Sequence, residues 1–370
     1  MDDVDLIAVH ETFASSIYPV LCNHVSVDEM MLPMNDGVKL RTVLVRTDNN
    51  KEAYPTILVR TPYQDMEKWY MAVAEEYAKR GFAFVIQFCR GTVGSEGEWE
   101  PNVNERADGK VTVDWLCSLS WVESVGYMGV SYMALTGWTI ADILPEKVKT
   151  MYLSHYGVFR HISAYKDGLF RHDVLTAWSM GNAGYDVTAD YLESCKYQPH
   201  SKVAENLWGK PLNWYRKWVT ATDEEDEYWN EGIWGLLKTI PGKITIPIMI
   251  SEGWYDHHLA SGLKTYHALS EDSKAKSTLV IGPWDHWFDV PIEGHVGHYY
   301  ENNDLIRAYE WFRKILVCHE TETKCVKMYV IGGDYWIERK DEVTAERKDA
   351  IYISFEYERT KSSCLVHQYY

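Results

Sequence analysis

Gly129-Val130-Ser131-Tyr132 is the stretch on which the fold of this chain turns. It follows the apolar run Val125-Gly126-Tyr127-Met128 and leads into Met133-Ala134-Leu135-Thr136-Gly137-Trp138, a segment that continues as a helix. A serine on a strand-to-helix turn of this kind sits in strained backbone geometry, so small residues are needed where strand and helix come together. Gly129 meets that need two residues before Ser131. After the serine the small residue is Ala134, because Met133 is bulky. A serine hydroxyl is a poor nucleophile at neutral pH; it needs an imidazole to take its proton and a carboxylate to fix the imidazole's tautomer.

Both partners are offered downstream. Ile248-Met249-Ile250-Ser251-Glu252-Gly253-Trp254-Tyr255 reads as a strand and turn that end at Asp256. Leu279-Val280-Ile281 with the turn Gly282-Pro283 presents Trp284-Asp285-His286. The order nucleophile, acid, base is that of an α/β-hydrolase triad: Ser131, Asp256, His286. Asp285 competes as the acid, but neighbouring side chains in an extended loop diverge, which favours Asp256. His257, His258, His295 and His298 compete with His286. Asp256-His257-His258 also spells the tripeptide of a metal-dependent phosphoesterase class, yet such a site needs further carboxylates on other loops, and the stretches around 60 and 90 supply no cluster. No metal and no cofactor is expected. An oxyanion hole needs two donors. The backbone N–H of Tyr132 is one by construction of the turn. The second is expected from the loop after an early strand, where Tyr63 carries a hydroxyl, one of 26 tyrosines in the chain.

Working outward, residues 1–25 carry no motif and read as a loose leader. Asn35-Asp36-Gly37 joins two strands, with Asp-Gly as the hairpin signal. Strands are predicted over 55–60, 82–88, 244–250 and 277–281, and helices over 69–80, 104–116, 262–269 and 305–316. This alternation predicts a mostly parallel sheet with its strand C-terminal ends facing the site. Residues 155–240 break the rhythm and read as a helical cap inserted over that edge, with Asp223-Glu224-Glu225-Asp226-Glu227 as a solvated loop. The glycine-rich loop Arg90-Gly91-Thr92-Val93-Gly94-Ser95-Glu96-Gly97 lacks Gly-Lys-Ser/Thr and is no phosphate cradle.

Bulk properties bound the function. The 370 residues hold a full α/β core of about 250 to 300 residues with a remainder. A net charge of −17 without a basic stripe argues against nucleic acid or an anionic membrane as partner. The seven cysteines form no CxxC pair, so neither structural zinc nor a disulfide framework is expected. The acidic start Met1-Asp2-Asp3-Val4-Asp5 is unlike a signal peptide, and no apolar run approaches the roughly 18 residues of a membrane span. A soluble cytoplasmic protein is expected.

Six motifs in one order carry a resemblance to a known family: Met34-Asn35-Asp36-Gly37-Val38-Lys39-Leu40, Arg60-Thr61-Pro62-Tyr63, Arg90-Gly91 with Gly94-Ser95-Glu96-Gly97, Gly129-Val130-Ser131-Tyr132, Gly253-Trp254-Tyr255-Asp256 and Gly282-Pro283-Trp284-Asp285-His286. Over roughly residues 27–340 the chain resembles the cocaine esterase-like (CocE/NonD) hydrolases, whose relatives include Xaa-Pro dipeptidyl-peptidases, α-amino-acid ester hydrolases and glutaryl-cephalosporin acylases. The resemblance implies Ser131, Asp256 and His286 as the triad, the Tyr63 hydroxyl and Tyr132 N–H as the oxyanion hole, and a helical cap. Where the family has glycine three residues after the serine this chain has Ala134, compatible with close packing. The family also continues into a jelly-roll-like β-sandwich that walls the substrate pocket. Here only 370 − 325 = 45 residues follow Cys325, room for about three or four strands.

The organisation expected is therefore an α/β-hydrolase domain over 27–325 and a truncated β-sandwich fragment over 326–370. The expected function is a serine hydrolase that cleaves an ester or amide through an acyl-enzyme, its partner an acyl ester, an amide or a short Xaa-Pro-type peptide. The alternative is a catalytically inactive, truncated homologue that serves as a binding protein.

Overall fold

Tyr54–Thr61 and Ala83–Phe88 are buried at every residue. Their side chains alternate between two apolar clusters, Leu58 and Val85 entering one while Ile57, Val59, Phe84, Ile86 and Phe88 enter the other. Strands covered on both faces belong in the centre of a parallel sheet. The computed structural model of the chain describes residues 3–47, 52–290, 304–321 and 323–340.

In chain order the strands are β1 (Val25–Pro33), β2 (Lys39–Thr47), β3 (Tyr54–Thr61), β4 (Ala83–Phe88), β5 (Val122–Val130), β6 (Val148–Ser154), β7 (Tyr165–Lys166), β8 (Leu169–Phe170), β9 (Ile248–Gly253), β10 (Thr278–Gly282), β11 (Cys325–Val330) and β12 (Tyr335–Arg339). The helices are α1 (Asp3–Ala14), α2 (Glu67–Lys79), α3 (Glu105–Ser118), α4 (Tyr132–Trp138), α5 (Arg160–Ala164), α6 (Ala177–Gly181), α7 (Tyr191–Lys196), α8 (Asn213–Thr220), α9 (Glu227–Asn230), α10 (Gly232–Thr239), α11 (Leu259–Ala268), α12 (Glu271–Lys274) and α13 (Asp304–Phe312). One sheet runs in the order β1-β2-β4-β3-β5-β6-β9-β10-β11-β12. It is parallel from β4 through β11, with β1, β2 and β12 antiparallel to their neighbours. This mixed, mostly parallel sheet with a helical insertion is consistent with an α/β-hydrolase. No described helix is long and apolar enough to cross a membrane.

The insertion between β6 and β9 is helical, carrying α5 to α10 and the two-residue ribbon β7–β8. Its aromatics pack on one another, with Trp178 stacked on Trp218 and Trp218 edge-on to Trp214 and Trp234. The acidic run lies in a largely exposed turn, where Asp226 caps α9 by accepting the Tyr228 N–H at 2.8 Å.

Three expectations need correcting. Residues 3–14 are not a loose leader but helix α1, with Val9 and Phe13 buried. Phe13 meets the rings of Tyr77 and Tyr309 at 5.8 Å each, and its carbonyl accepts from Arg80 at 3.0 Å. Leu6, Val9 and Phe13 share the inward face, but Ile7 on the exposed side blurs the helical periodicity. Phe13→Ala is expected to cost about 3 to 5 kcal/mol of folding stability. A urea midpoint that does not move would show that α1 docking contributes nothing.

The strand expected over 244–250 runs instead over Ile248–Gly253. Pro247 cannot donate to a ladder, so pairing begins after it, and its carbonyl accepts from Thr150 Oγ1 at 2.8 Å. The stretch expected to begin a separate sandwich fragment at residue 326 belongs instead to β11, which lies parallel to β10 with Leu279 opposite Val326, and β12 pairs antiparallel beyond it. Both extend the central sheet, because β11 satisfies a backbone edge that β10 would otherwise leave open. The remainder of the predicted fragment, 341–370, lies outside the described residues.

Candidate active site

β5 ends one residue before Ser131, which stands at the N-cap of α4 with φ 55° and ψ −125°. A positive φ on a residue with a Cβ costs of order 1 to 3 kcal/mol and persists only where its surroundings hold it. The Ser131 N–H donates to the Ser154 carbonyl at 2.9 Å, and the Ser131 carbonyl accepts from Ala134 at 2.9 Å and Leu135 at 3.1 Å. A Cβ on Gly129 would stand 2.2 Å from the Met133 carbonyl oxygen. It is thus the backbone of residue 133 that meets Gly129, and the Met133 side chain is free to pack among Tyr152, Met249 and Phe312 in the apolar cluster on the far side.

The loops that carry Asp256 and His286 brace each other. Trp254 N–H donates to the Gly282 carbonyl at 2.8 Å and Tyr255 N–H to the Trp284 carbonyl at 3.2 Å. A Cβ on Gly253 would lie 2.1 Å from the Trp284 carbonyl, and one on Gly282 would lie 2.0 Å from the Trp284 ring. The two glycines are therefore demanded by one buried tryptophan that locks the loops in register.

The structure brings Ser131, His286 and Asp256 together at the C-terminal edge of the sheet. His286 Nε2 is 2.9 Å from Ser131 Oγ, and His286 Nδ1 is 2.7 Å from Asp256 Oδ2. Asp256 Oδ1 also accepts the His258 N–H at 2.6 Å. Burial pushes the Asp256 carboxyl up, but the charge and hydrogen bond of His286, helped by His155 and His257, outweigh it and hold the group down at about 2. Asp285 is engaged elsewhere: its Oδ1 accepts from Trp287 at 2.8 Å and Asp289 at 3.1 Å, closing its own loop. His295 and His298 lie outside the described residues.

Of the two expected oxyanion donors, the Tyr132 N–H is at the start of α4, while its ring is buried and its hydroxyl donates to Glu105 and accepts from Asn102. Tyr63 follows β3, and its hydroxyl accepts from Trp178 Nε1 at 2.8 Å. That contact leaves the Tyr63 proton free to donate, and burial holds the phenol well above its ordinary pKa, so the proton is retained. The Tyr63 and Tyr132 rings are 6.4 Å apart.

Sequence reasoning missed three contributors. Trp178, on α6 of the cap, fixes the Tyr63 hydroxyl; among 16 tryptophans nothing singled it out. His155, directly after β6, has φ 54° and sets Nε2 3.7 Å from Asp256 Oδ2, with Nδ1 on the Ser154 hydroxyl at 2.7 Å. Burial depresses its pKa to about 4 against the pull of Asp256, so at neutral pH it is uncharged. Glu252, at the end of β9, is fully buried, and burial together with the Asp256 charge raises its carboxyl well above the ordinary range. His257 is likewise depressed, to about 3, by burial and by His286. Among the described residues one group of side chains could hold a metal ion: Asp256, His257 and His286 offer ligand atoms within 4.8 Å of one another.

Residues 36–287 match the model of the X-Pro dipeptidyl-peptidase (S15 family). The chain is 29% identical over 366 residues to a cocaine esterase from Rhodococcus sp. (strain MB1 Bresler), covering 90% of this chain and 62% of that protein. Among solved structures it is similar to an α-amino acid ester hydrolase, with a TM-score of 0.68 at 22% identity over 89% of this chain and 60% of the other. An aminopeptidase from a marine sediment archaeon, Thaumarchaeota archaeon, gives 0.68 at 19% identity, covering 88% and 61%. A CocE/NonD family hydrolase from Staphylococcus aureus gives 0.59 at 15% identity, covering 85% and 56%. At these identities the structures speak for the fold, and the chain spans about three-fifths of the length of these relatives.

Proposed function

We propose, because this chain belongs to the CocE/NonD hydrolases of the X-Pro dipeptidyl-peptidase (S15) family, that it is a serine hydrolase acting on an ester or amide carbonyl through an acyl-enzyme on Ser131. The observation that carries the reading is the unbroken hydrogen-bond relay from Ser131 Oγ through both nitrogens of His286 to Asp256, at 2.9 and 2.7 Å.

In this mechanism Asp256 accepts a hydrogen bond from the Nδ1–H of His286, which leaves the Nε2 lone pair facing the serine hydroxyl. Oγ attacks the carbonyl carbon as its proton passes to Nε2, and the negative charge moves to the carbonyl oxygen. The Tyr132 N–H and the Tyr63 hydroxyl stabilise that oxygen. His286 then protonates the leaving alcohol or amine. Water, activated by the same nitrogen, releases the acid and restores Ser131.

Trp178 gives the oxyanion tyrosine its orientation, so the cap belongs to the machinery as well as to the pocket wall. Tyr63→Phe removes the proton donor and keeps the ring; kcat is expected to fall about 100- to 1,000-fold with KM little changed. A variant with unaltered kcat would remove Tyr63 from the oxyanion hole. The family reading leaves two substrate classes, acyl esters and Xaa-Pro-type amides. Mass spectrometry of the protein after exposure to a panel of both is expected to find the acyl or dipeptidyl mass on the peptide containing Ser131, and the mass identifies the class accepted. A folded protein that carries no adduct and turns over no activated ester would instead support a binding role.

A further inference from the structure

We propose that Asp256, His257 and His286 form a latent zinc site whose occupation arrests the hydrolase. The arrest rests on the reading of His286 as the general base; the binding does not.

The donor set is two imidazoles and one carboxylate, the kind that holds zinc through three protein ligands and leaves a fourth position open. Asp256 Oδ1 and His257 Nδ1 stand 3.5 Å apart. Two ligands on a tetrahedral zinc ion, each about 2.0 to 2.2 Å from the metal, are separated by about 3.3 Å, so this pair is already spaced for it. Asp256 Oδ2 and His286 Nδ1, at 2.7 Å, are drawn together by a shared proton and need to open by roughly half an ångström once an ion replaces that proton. The rings of His257 and His286 are 4.5 Å apart and inclined by 43°, and each presents its Nδ1 to the same carboxylate.

Orienting one base asks for a single carboxylate contact, and this site holds more imidazole than that. Among the described residues the His257 ring makes no hydrogen bond, although it stands against Asp256 and His286. Behind them His155 Nε2 is fully buried, makes no hydrogen bond, and lies 3.7 Å from Asp256 Oδ2. The carboxylate thus has an imidazole on each of two sides that it does not hydrogen-bond, and the nitrogen on the His155 side is buried without a partner. Imidazole and carboxylate donors favour zinc and cobalt over magnesium and calcium, which take oxygen ligands.

Occupation has a defined chemical consequence. Zinc binds the lone pair of His286 Nδ1 once the Nδ1 proton leaves to solvent, and one proton is taken up from solvent at Nε2, so the ring stays neutral in its other tautomer. Nε2 then donates to Ser131 Oγ where it formerly accepted. A nitrogen that already carries a proton cannot take another from the serine, and attack stops. The ion is an inhibitor here and takes no part in the reaction.

The test begins with binding alone. Ser131→Ala protein titrated with cobalt(II) chloride is expected to take up one equivalent with the intense visible absorption of a tetrahedral ion, and zinc sulfate is expected to bleach it. His257→Gln, placed in the same background and checked by circular dichroism, is expected to lose at least tenfold in affinity; His257→Asn replaces it should it fail to fold. In protein with an intact serine, zinc is expected to lower the rate, a chelator to restore it, and magnesium at equal concentration to do nothing. The zinc concentration for half-inhibition, each variant measured against its own metal-free rate, is expected to rise at least tenfold in His257→Gln. Unchanged affinity in His257→Gln, or no stoichiometric binding, overturns the site. Binding in a chain without turnover keeps the site and removes the hydrolase reading; turnover without binding does the reverse.

Discussion

Ser131→Ala is expected to lower kcat for an activated ester by about 10⁵- to 10⁶-fold and to abolish labelling by a fluorophosphonate, with the fold unchanged. The size follows from how the site is built. Among the described residues His286 Nε2, at 2.9 Å from Ser131 Oγ, hydrogen-bonds no other hydroxyl, so on the proposed mechanism removing Oγ removes the atom that the relay serves. Residual hydrolysis then comes from the oxyanion donors and from binding, which raise the rate over water without a nucleophile. Alanine at this position keeps the Cβ, so the positive-φ turn is neither relieved nor worsened, and circular dichroism and thermal midpoint should stay close to those of the unmodified protein. Labelling that persists in the variant would reassign the nucleophile.

Asp256→Asn is expected to reduce kcat by about 10⁴-fold while leaving Ser131 in place. Asp256 accepts two N–H groups, one from the His258 backbone on Oδ1 and one from His286 Nδ1 on Oδ2. An asparagine has a single acceptor oxygen for these two donors. The backbone amide at 2.6 Å cannot change its proton, so the oxygen goes there and the new NH2 group faces Nδ1. Nδ1 must then accept, the ring proton moves to Nε2, and the base is presented to the serine in the wrong tautomer. Asp285→Asn provides the comparison, because among the described residues that carboxylate accepts from Trp287 and Asp289 in its own loop. Wild-type turnover in Asp256→Asn, or an equal loss in Asp285→Asn, would reassign the acid.

The same carboxylate sets the sign of a pH effect. Its pKa is depressed in the folded protein, from the ordinary 3.8 to about 2. A depressed acid contributes stability that is complete above its unfolded value and is lost as pH falls through the folded one. Asp256 therefore stays ionised at any pH above about 4, and a fall in kcat between neutrality and that point reports another group. Asp256→Asn is expected to remove part of the acid destabilisation predicted below that pH, which urea midpoints at about pH 2 to 5 would check.

Much of the architecture was legible along the chain because it rests on local properties of the backbone. Fully apolar runs such as Ile57-Leu58-Val59 and Phe84-Val85-Ile86 have few ways to be covered other than as central strands. Asp36-Gly37 closes a hairpin for a reason contained in the dipeptide, the glycine at φ 87°. Helix α1 escaped notice because Phe13 becomes a core residue only once Tyr77 and Tyr309, far off in the chain, stand beside it. β11 read as the opening of a new domain because a short strand looks alike whether it starts one sheet or finishes another.

By itself the sequence determined which residue types were available for the chemistry, in what order, and that Ser131 would sit on a turn too tight for a Cβ at position 129. Tertiary structure alone decided which carboxylate faces the imidazole, which tryptophan holds Tyr63, and how His155 and His257 come to surround Asp256. The physical reason is reach. Backbone strain and burial act over a few residues, whereas the relay joins His286 to atoms 30 and 155 positions away, and only the closed sheet brings those within hydrogen-bonding distance.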